Sequence, residues 1–184
     1  VKIQEKQAFA ACGQVILMNN FMKILKKKKV NVAQILLTYS DTEDRKKSIN
    51  SRETIKELLK LNILPIINEN DSVAIDELKF GDNDRLAARV AQISDADFLI
   101  LLSDVDGLYT SNPKKGKSAK LLKFVEEIDK KILKMASKET NLYGTGGMIT
   151  KLEAAKIAMN SGCSTIICKG NRKNPIQKYF KNNH

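Results

Sequence analysis

The chain has 184 residues and a formal net charge of +11, from 32 Lys and Arg against 21 Asp and Glu. That length suits one domain with a real core, and the one histidine, His184, is the last residue, so a Ser-His-Asp relay, a Cys-His pair and a histidine-rich zinc site are excluded within it. The basic residues gather at 26–29 and 114–123, and aromatics interleave with them only at Lys178-Tyr179-Phe180-Lys181, so the charge reads as solvated surface and argues against a nucleic-acid groove.

No run of about 18 apolar residues marks a membrane span, and no signal peptide is visible. Cys12, Cys163 and Cys168 lie far apart in apolar surroundings, which reads as buried free thiols of a reducing compartment rather than a disulfide frame or metal knuckle.

Taken in order, residues 4–25 have helical spacing, with Phe9, Cys12, Ile16, Met18 and Phe21 inward. Residues 32–38, VAQILLT, form a buried strand, and Tyr39-Ser40-Asp41-Thr42 a turn. Residues 45–61 make a second helix, with Ile49, Ile55, Leu58 and Leu59 inward and Asn62 ending it. Residues 63–67 are a strand on which Pro65 falls, and 73–80 alternate as a small hairpin arm. A helix over 84–93 carries Leu86, Ala87, Val90, Ala91 and Ile93 on one side. Residues 97–103, DFLILLS, are the most apolar strand, followed by a loop to Thr110 with Asn112-Pro113 as a breaker. Helices over 126–136 and 151–160, a stop at Gly162 and a strand over 165–168 complete the chain. Strand and helix alternate throughout. The fold class is therefore α/β, a three-layer αβα sandwich with a mainly parallel sheet whose strand carboxyl ends share one edge.

That edge is where ligands bind in such sheets, and three clusters fall there. The strand ending at Ile67 runs directly into Asn68, Glu69, Asn70 and Asp71. A second polar group, Gly81-Asp82-Asn83-Asp84, opens the next helix. Each acid has an ordinary alternative as a helix cap or turn residue, but together the carboxylates and amides exceed what capping needs and suit a ligand with an ammonium group. The third cluster is Gly144-Thr145-Gly146-Gly147-Met148-Ile149-Thr150-Lys151. Its glycines admit an anion close to backbone N–H groups, the following helix aims its positive end there, and Lys151 adds a full charge. It is neither a Walker loop nor GxGxxG. A flexible linker is the alternative, opposed by the lysine and the amphipathic helix that follows. Asp104 closes the apolar strand, either as a turn cap or as a site residue. A phosphate cradle, a lysine, a strand-end acid and an amino-acid pocket together fit phosphoryl transfer. A carboxylate acceptor is already ionised at pH 7, so no general base is needed.

The blocks VAQILLT with EDR after it, PIINENDSVA, ELKFGDND, LILLSDVDGLYTSNP and GTGGMITKLEAAKIAMNSG resemble the amino acid kinase family over nearly the whole chain, and in particular its glutamate-phosphorylating branch. The resemblance implies ATP-dependent phosphorylation of the L-glutamate side-chain carboxylate to glutamyl 5-phosphate, the first step of proline biosynthesis, in the cytoplasm. It implies that Asp71 and Asn83 bind glutamate, with Asn68, Asp82 and Asp84 in the same pocket. Ser103, standing where Thr is commoner, and Asp104 would lie at the nucleotide. Thr145, Gly146, Gly147, Met148, Ile149, Thr150 and Lys151 would line the ATP site, with Lys151 at the transferring phosphate and Asp104 orienting the catalytic lysines. Mg²⁺ would be held by phosphates and water, with no named protein ligand. Proline as feedback inhibitor and a homo-oligomer are further implications, and no membrane is involved.

Family members begin with a strand bearing a Lys in a Gly-Ser loop and then a Ser-Ser-Gly-Ala segment. This sequence starts in the helix expected after them, and residues 174–184 also read as cut short. The expectation is an amino acid kinase domain over residues 1–184 that lacks its first strand and loop and its extreme C-terminus, and these residues alone should bind nucleotide poorly and turn over little. A C-terminal PUA domain, which some members carry, lies beyond what the sequence addresses. Three other readings stay open: kinases of the same family acting on N-acetylglutamate, aspartate or a nucleoside monophosphate; a basic nucleic-acid-binding module; and a catalytically silent regulatory domain.

Overall fold

The computed structural model describes residues 2–74, 83–111, 119–137 and 147–182. The chain divides into two compact units, residues 1–86 and 87–184. The expected hairpin arm over 73–80 lies mostly outside the described residues, as do Asp82, Thr145, Gly146 and His184.

In the first unit, helix α1 (Ile3–Lys26) leads to strand β1 (Asn31–Leu37), the short helix α2 (Tyr39–Glu43), helix α3 (Arg45–Lys60) and strand β2 (Ile63–Glu69). Helix α1 ends where the backbone of Lys29 turns left-handed at φ 58° and Val30 N–H donates back to the Leu25 carbonyl, a closure of the helix-ending type. β1 and β2 are parallel, in a register that sets Gln34 beside Ile66 and Leu36 beside Asn68. Pro65, which can donate no ladder hydrogen bond, pairs with Ala33. The α3 side chain set deepest is Ile55, 2% exposed, a burial that stabilises by roughly 1.5–3 kcal/mol. Leu58 is half-buried and Ile49 and Leu59 are exposed, so α3 turns a narrower face inward than its apolar residues suggest.

Helix α1 departs further from expectation. Its shielded positions are Ile3, Gln7, Ala10, Gln14, Met18 and Leu25, one stripe at helical spacing. Of the five residues expected inward, only Met18 is buried; Phe9, Ile16 and Phe21 are exposed, and so is Cys12. Apolar residues surround this helix on all sides, and two of its inward positions are glutamines, so hydrophobic periodicity does not mark the inward face. By length and mean hydropathy, 1.3 over an 18-residue window, α1 is long and apolar enough to cross a bilayer, although its inward glutamines are engaged within the unit.

Residues 39–42, expected as a turn, lie in α2 instead. The Thr38 hydroxyl and backbone N–H both donate to Asp41 Oδ2, at 2.6 and 2.8 Å, and so start the helix. Asp44 ends α2 and starts α3, accepting from Lys47 N–H at 2.9 Å.

Helix α4 (Asn83–Ile93) spans the division between units. Strand β3 (Phe98–Ser103), helix α5 (Lys130–Ser137), helix α6 (Met148–Met159), strand β4 (Ser164–Lys169) and helix α7 (Pro175–Asn182) follow. β3 and β4 are parallel, with Leu102 beside Cys168 and Ser103 beside Lys169. Both strand pairs are thus parallel and both units mix helix and strand, as expected of an α/β fold. Ala88, Ala91, Leu99, Leu101, Ala154, Ala158 and Cys163 form one core cluster, in which alanines with no exposed surface allow backbone to approach closely. Leu108, Ala136, Met148 and Leu152 form another. Residues 126–129, expected as helix, precede α5, whose first turn is capped by Asp129 accepting from Ile132 N–H at 2.8 Å. α7 was not expected. Its Phe180 ring meets Phe98 edge-on at 5.7 Å.

Candidate active site

In the first unit the carboxyl ends of β1 and β2 lie side by side. The ladder continues one residue past β2, where Asn70 N–H donates to the Leu37 carbonyl at 2.9 Å. The chain then turns, as Val73 and Ala74 N–H both donate to the Asn70 carbonyl and the Ser72 hydroxyl donates to Asn70 Oδ1 at 2.6 Å. Asn70 therefore builds the turn. Asp71, on the turn, and Asn68, at the strand end, are half-buried. Asn68 Nδ2 donates to Gln14 Oε1 of α1 at 3.0 Å. Asn83 is exposed and Asp84 half-buried in the first turn of α4, where a carboxylate interacts favourably with the helix dipole.

Just past the carboxyl end of β1, Asp41 also accepts from Lys47 Nζ at 2.9 Å. Burial works to raise its pKa, but the Thr38 hydroxyl and N–H and the Lys47 ammonium outweigh it and hold the carboxyl below its ordinary value.

The second unit carries the glycine cluster and the end of β3. Gly147 is the N-cap of α6 in extended conformation, so the backbone N–H groups of Met148, Ile149 and Thr150 lie at a helix start, where intrahelical acceptors are lacking. The Met148 side chain is 4% exposed and lies in the core. The Thr150 hydroxyl donates to the Gly147 carbonyl at 2.8 Å. Lys151 is half-buried. Half-buried Ser103 donates to Asp104 Oδ1 at 3.2 Å, and Gly170 N–H donates to the Ser103 carbonyl at 2.8 Å, tying the ends of β3 and β4 together.

The loop after β3 is fixed by two features that sequence reasoning missed. Gly107 has φ 149°, and a Cβ there would meet Leu121 Cδ1 at 3.1 Å and the Ile167 carbonyl oxygen at 3.7 Å. Asp106 Oδ2 accepts from Arg172 Nη2 at 2.7 Å, joining this loop to the turn after β4. Burial and then the Asp106 charge push the Cys168 thiol pKa up, and burial and then Asp97 do the same for Cys163.

The family model for the amino acid kinase family matches residues 1–169, and the chain belongs to that family. It is 54% identical over 183 residues to the glutamate 5-kinase of Pelagibacter ubique, covering 100% of this chain and 50% of that relative. It is 50% identical over 176 residues to the glutamate 5-kinase of Brucella ovis, covering 96% of this chain and 47% of that relative. The chain thus spans about half the length of the curated relatives it matches. Among solved structures, isopentenyl phosphate kinase aligns with a TM-score of 0.60 at 18% identity, over 91% of this chain and 62% of that one. UMP kinase from Ureaplasma parvum aligns with a TM-score of 0.54 at 16% identity, over 87% of this chain and 60% of that one. These two likenesses establish the amino acid kinase fold.

Proposed function

We propose that this chain is the kinase portion of an enzyme that phosphorylates the side-chain carboxylate of L-glutamate with ATP, giving glutamyl 5-phosphate and ADP as the first step of proline biosynthesis. The observation that carries the proposal is the 54% identity over 183 residues to a protein named glutamate 5-kinase. The strand-end acids and amides of the first unit and the glycine-capped helix of the second support it.

The chemistry needs little from the protein beyond placement and charge. A carboxylate oxygen of glutamate attacks the γ-phosphorus, the phosphorus–oxygen bond to ADP breaks with its electron pair, and no proton moves. Asp71, Asn83 and Asn68, with Asp82 and Asp84, take the amino acid. Ser103, Asp104 and residues 145–151 take the nucleotide, with Asp104 orienting the lysines. The obstacle is repulsion between anions, about 4 kcal/mol per unit-charge pair at 4 Å and an effective dielectric of about 20. Lys151 and the N-terminus of α6 offset it. Among the described residues no cluster of three or more His, Cys, Asp or Glu offers a metal site. Mg²⁺ is commonly held by substrate phosphates and water, and its chemistry here would be to neutralise phosphate charge. A cytoplasmic homo-oligomer inhibited by proline completes the proposal.

Hydroxylamine trapping with the full-length protein, ATP and Mg²⁺ tests it. Hydroxamate should form from glutamate and not from aspartate or N-acetylglutamate, and should be lost in Asp71→Ala. Product from a different acid, or none from any, refutes it.

A further inference from the structure

Three amides on three elements make a directed chain. Gln14 Nε2 of α1 donates to Gln34 Oε1 of β1 at 3.1 Å, and Gln14 Oε1 accepts from Asn68 Nδ2 of β2 at 3.0 Å. A carboxamide has unlike ends, donor NH₂ and acceptor oxygen, so the sense of one member dictates the next. In this arrangement the Gln14 nitrogen meets the Gln34 oxygen and the Gln14 oxygen meets the Asn68 nitrogen. Asn68 then spends its nitrogen on Gln14 and keeps Oδ1, which takes no hydrogen bond among the described residues.

We infer that the relay from Gln34 through Gln14 fixes the Asn68 amide so that this strand end offers an acceptor, which selects the ammonium group of the amino acid substrate. The inference rests on the function proposed above. Gln14 and Gln34 are positioning residues, since neither is required to touch the ligand. Asn68 and Gln14 are half-buried while Gln34 is exposed on β1. The relay therefore begins at a surface side chain whose replacement leaves the core intact.

The test reverses the relay from its outer end in the full-length protein. Gln34→Glu presents only acceptor oxygens and preserves the sense. Gln34→Lys presents only donors: it takes the Gln14 oxygen, turns the Gln14 nitrogen onto Asn68, and makes Asn68 expose its NH₂ to the substrate. Exchanging an acceptor for a donor against an ammonium group should raise the KM for glutamate by roughly tenfold or more, with kcat, the KM for ATP and the melting temperature unchanged. An added positive charge would by itself favour anionic glutamate, so the expected rise opposes simple electrostatics. Independently, NMR hydrogen exchange of the Asn68 side-chain NH₂ should be slow in wild type and Gln34→Glu and fast in Gln34→Lys. Equal glutamate KM in the two variants, or equal exchange of the Asn68 NH₂, overturns the relay. A wild-type enzyme that makes no hydroxamate from glutamate refutes the proposed function instead, and the exchange experiment still decides whether the amides are ordered in this sense.

Discussion

Lys151 stands at the fourth residue of α6 counted from Met148, a place where a cation opposes the helix dipole. Replacing Lys151 with methionine keeps most of the buried stem and removes the charge, so stability should stay within about 0.5 kcal/mol of wild type. Turnover should respond very differently. A unit charge about 4 Å from the transferring phosphoryl group, at an effective dielectric of about 20, is worth about 4 kcal/mol, or close to three decades in rate. The assay is initial-rate hydroxamate formation in the full-length protein with glutamate and ATP varied, alongside urea denaturation. The expected result is a fall in kcat of roughly 10³-fold with the KM for glutamate little changed, and a partial recovery in Lys151→Arg. A drop of less than about tenfold, or a loss that lies in the glutamate KM, would show that Lys151 does not serve the phosphate side.

Ile55→Ala should lower unfolding free energy by about 2–5 kcal/mol, because a side chain 2% exposed leaves a cavity; urea denaturation measures it, and a loss under about 1 kcal/mol would place Ile55 outside the core. Asp41 has a folded pKa held below its ordinary value, so its contribution is complete above the unfolded carboxylate pKa of about 3.9 and is lost as pH falls through the lower folded value. Asp41→Asn should thus cost about 1 kcal/mol at pH 7, with the gap in urea midpoint closing in acid; a gap independent of pH contradicts it. Among the thiols, exposed Cys12 should alkylate first, and Cys163 and Cys168, buried or half-buried with raised pKa values, only on unfolding, as peptide mass mapping would show. A double-mutant cycle on Asp106 and Arg172 should give a coupling of about 0.2–1 kcal/mol, since both side chains are partly exposed at 57% and 25% for Arg172 and Asp106; additivity of the two substitutions would mean that the pair does not join the loops.

The strands were legible because each is a short apolar run that ends in polar residues, and β1, β2, β3 and β4 lie within a residue or two of their expected bounds. α4 and α6 were legible for a related reason, since most of their apolar residues fall on the buried side: Leu86, Ala91, Ile93, Leu152, Ala155 and Ala158 are buried, while Ile149 and Met159 of α6 are exposed. α1 was not, because pattern reasoning takes apolar as inward, and Gln7 and Gln14 occupy inward positions for hydrogen bonding to Ala74, Gln34 and Asn68. α2 was hidden because Ser and Asp within YSDTE compete for turns as readily as for helix starts. In the candidate site, Asp104 and Lys151 stand out by their place after a strand and at the start of a helix. Arg172 cannot, since its partner Asp106 lies 66 residues away and neither residue has a local pattern around it.

The junction between β1 and α3 leaves no slack. Thr38 caps the start of α2 directly after Leu37 closes β1, and Asp44 is at once the C-cap of α2 and the N-cap of α3. Surface connections ordinarily absorb added residues at little cost, because closure entropy grows slowly with length. Here a residue added or deleted between Thr38 and Asp41, or between Asp44 and Lys47, would break the hydrogen bonds that start α2 or α3. A chain that carried an insertion in either stretch would have to rebuild that helix start to keep its fold.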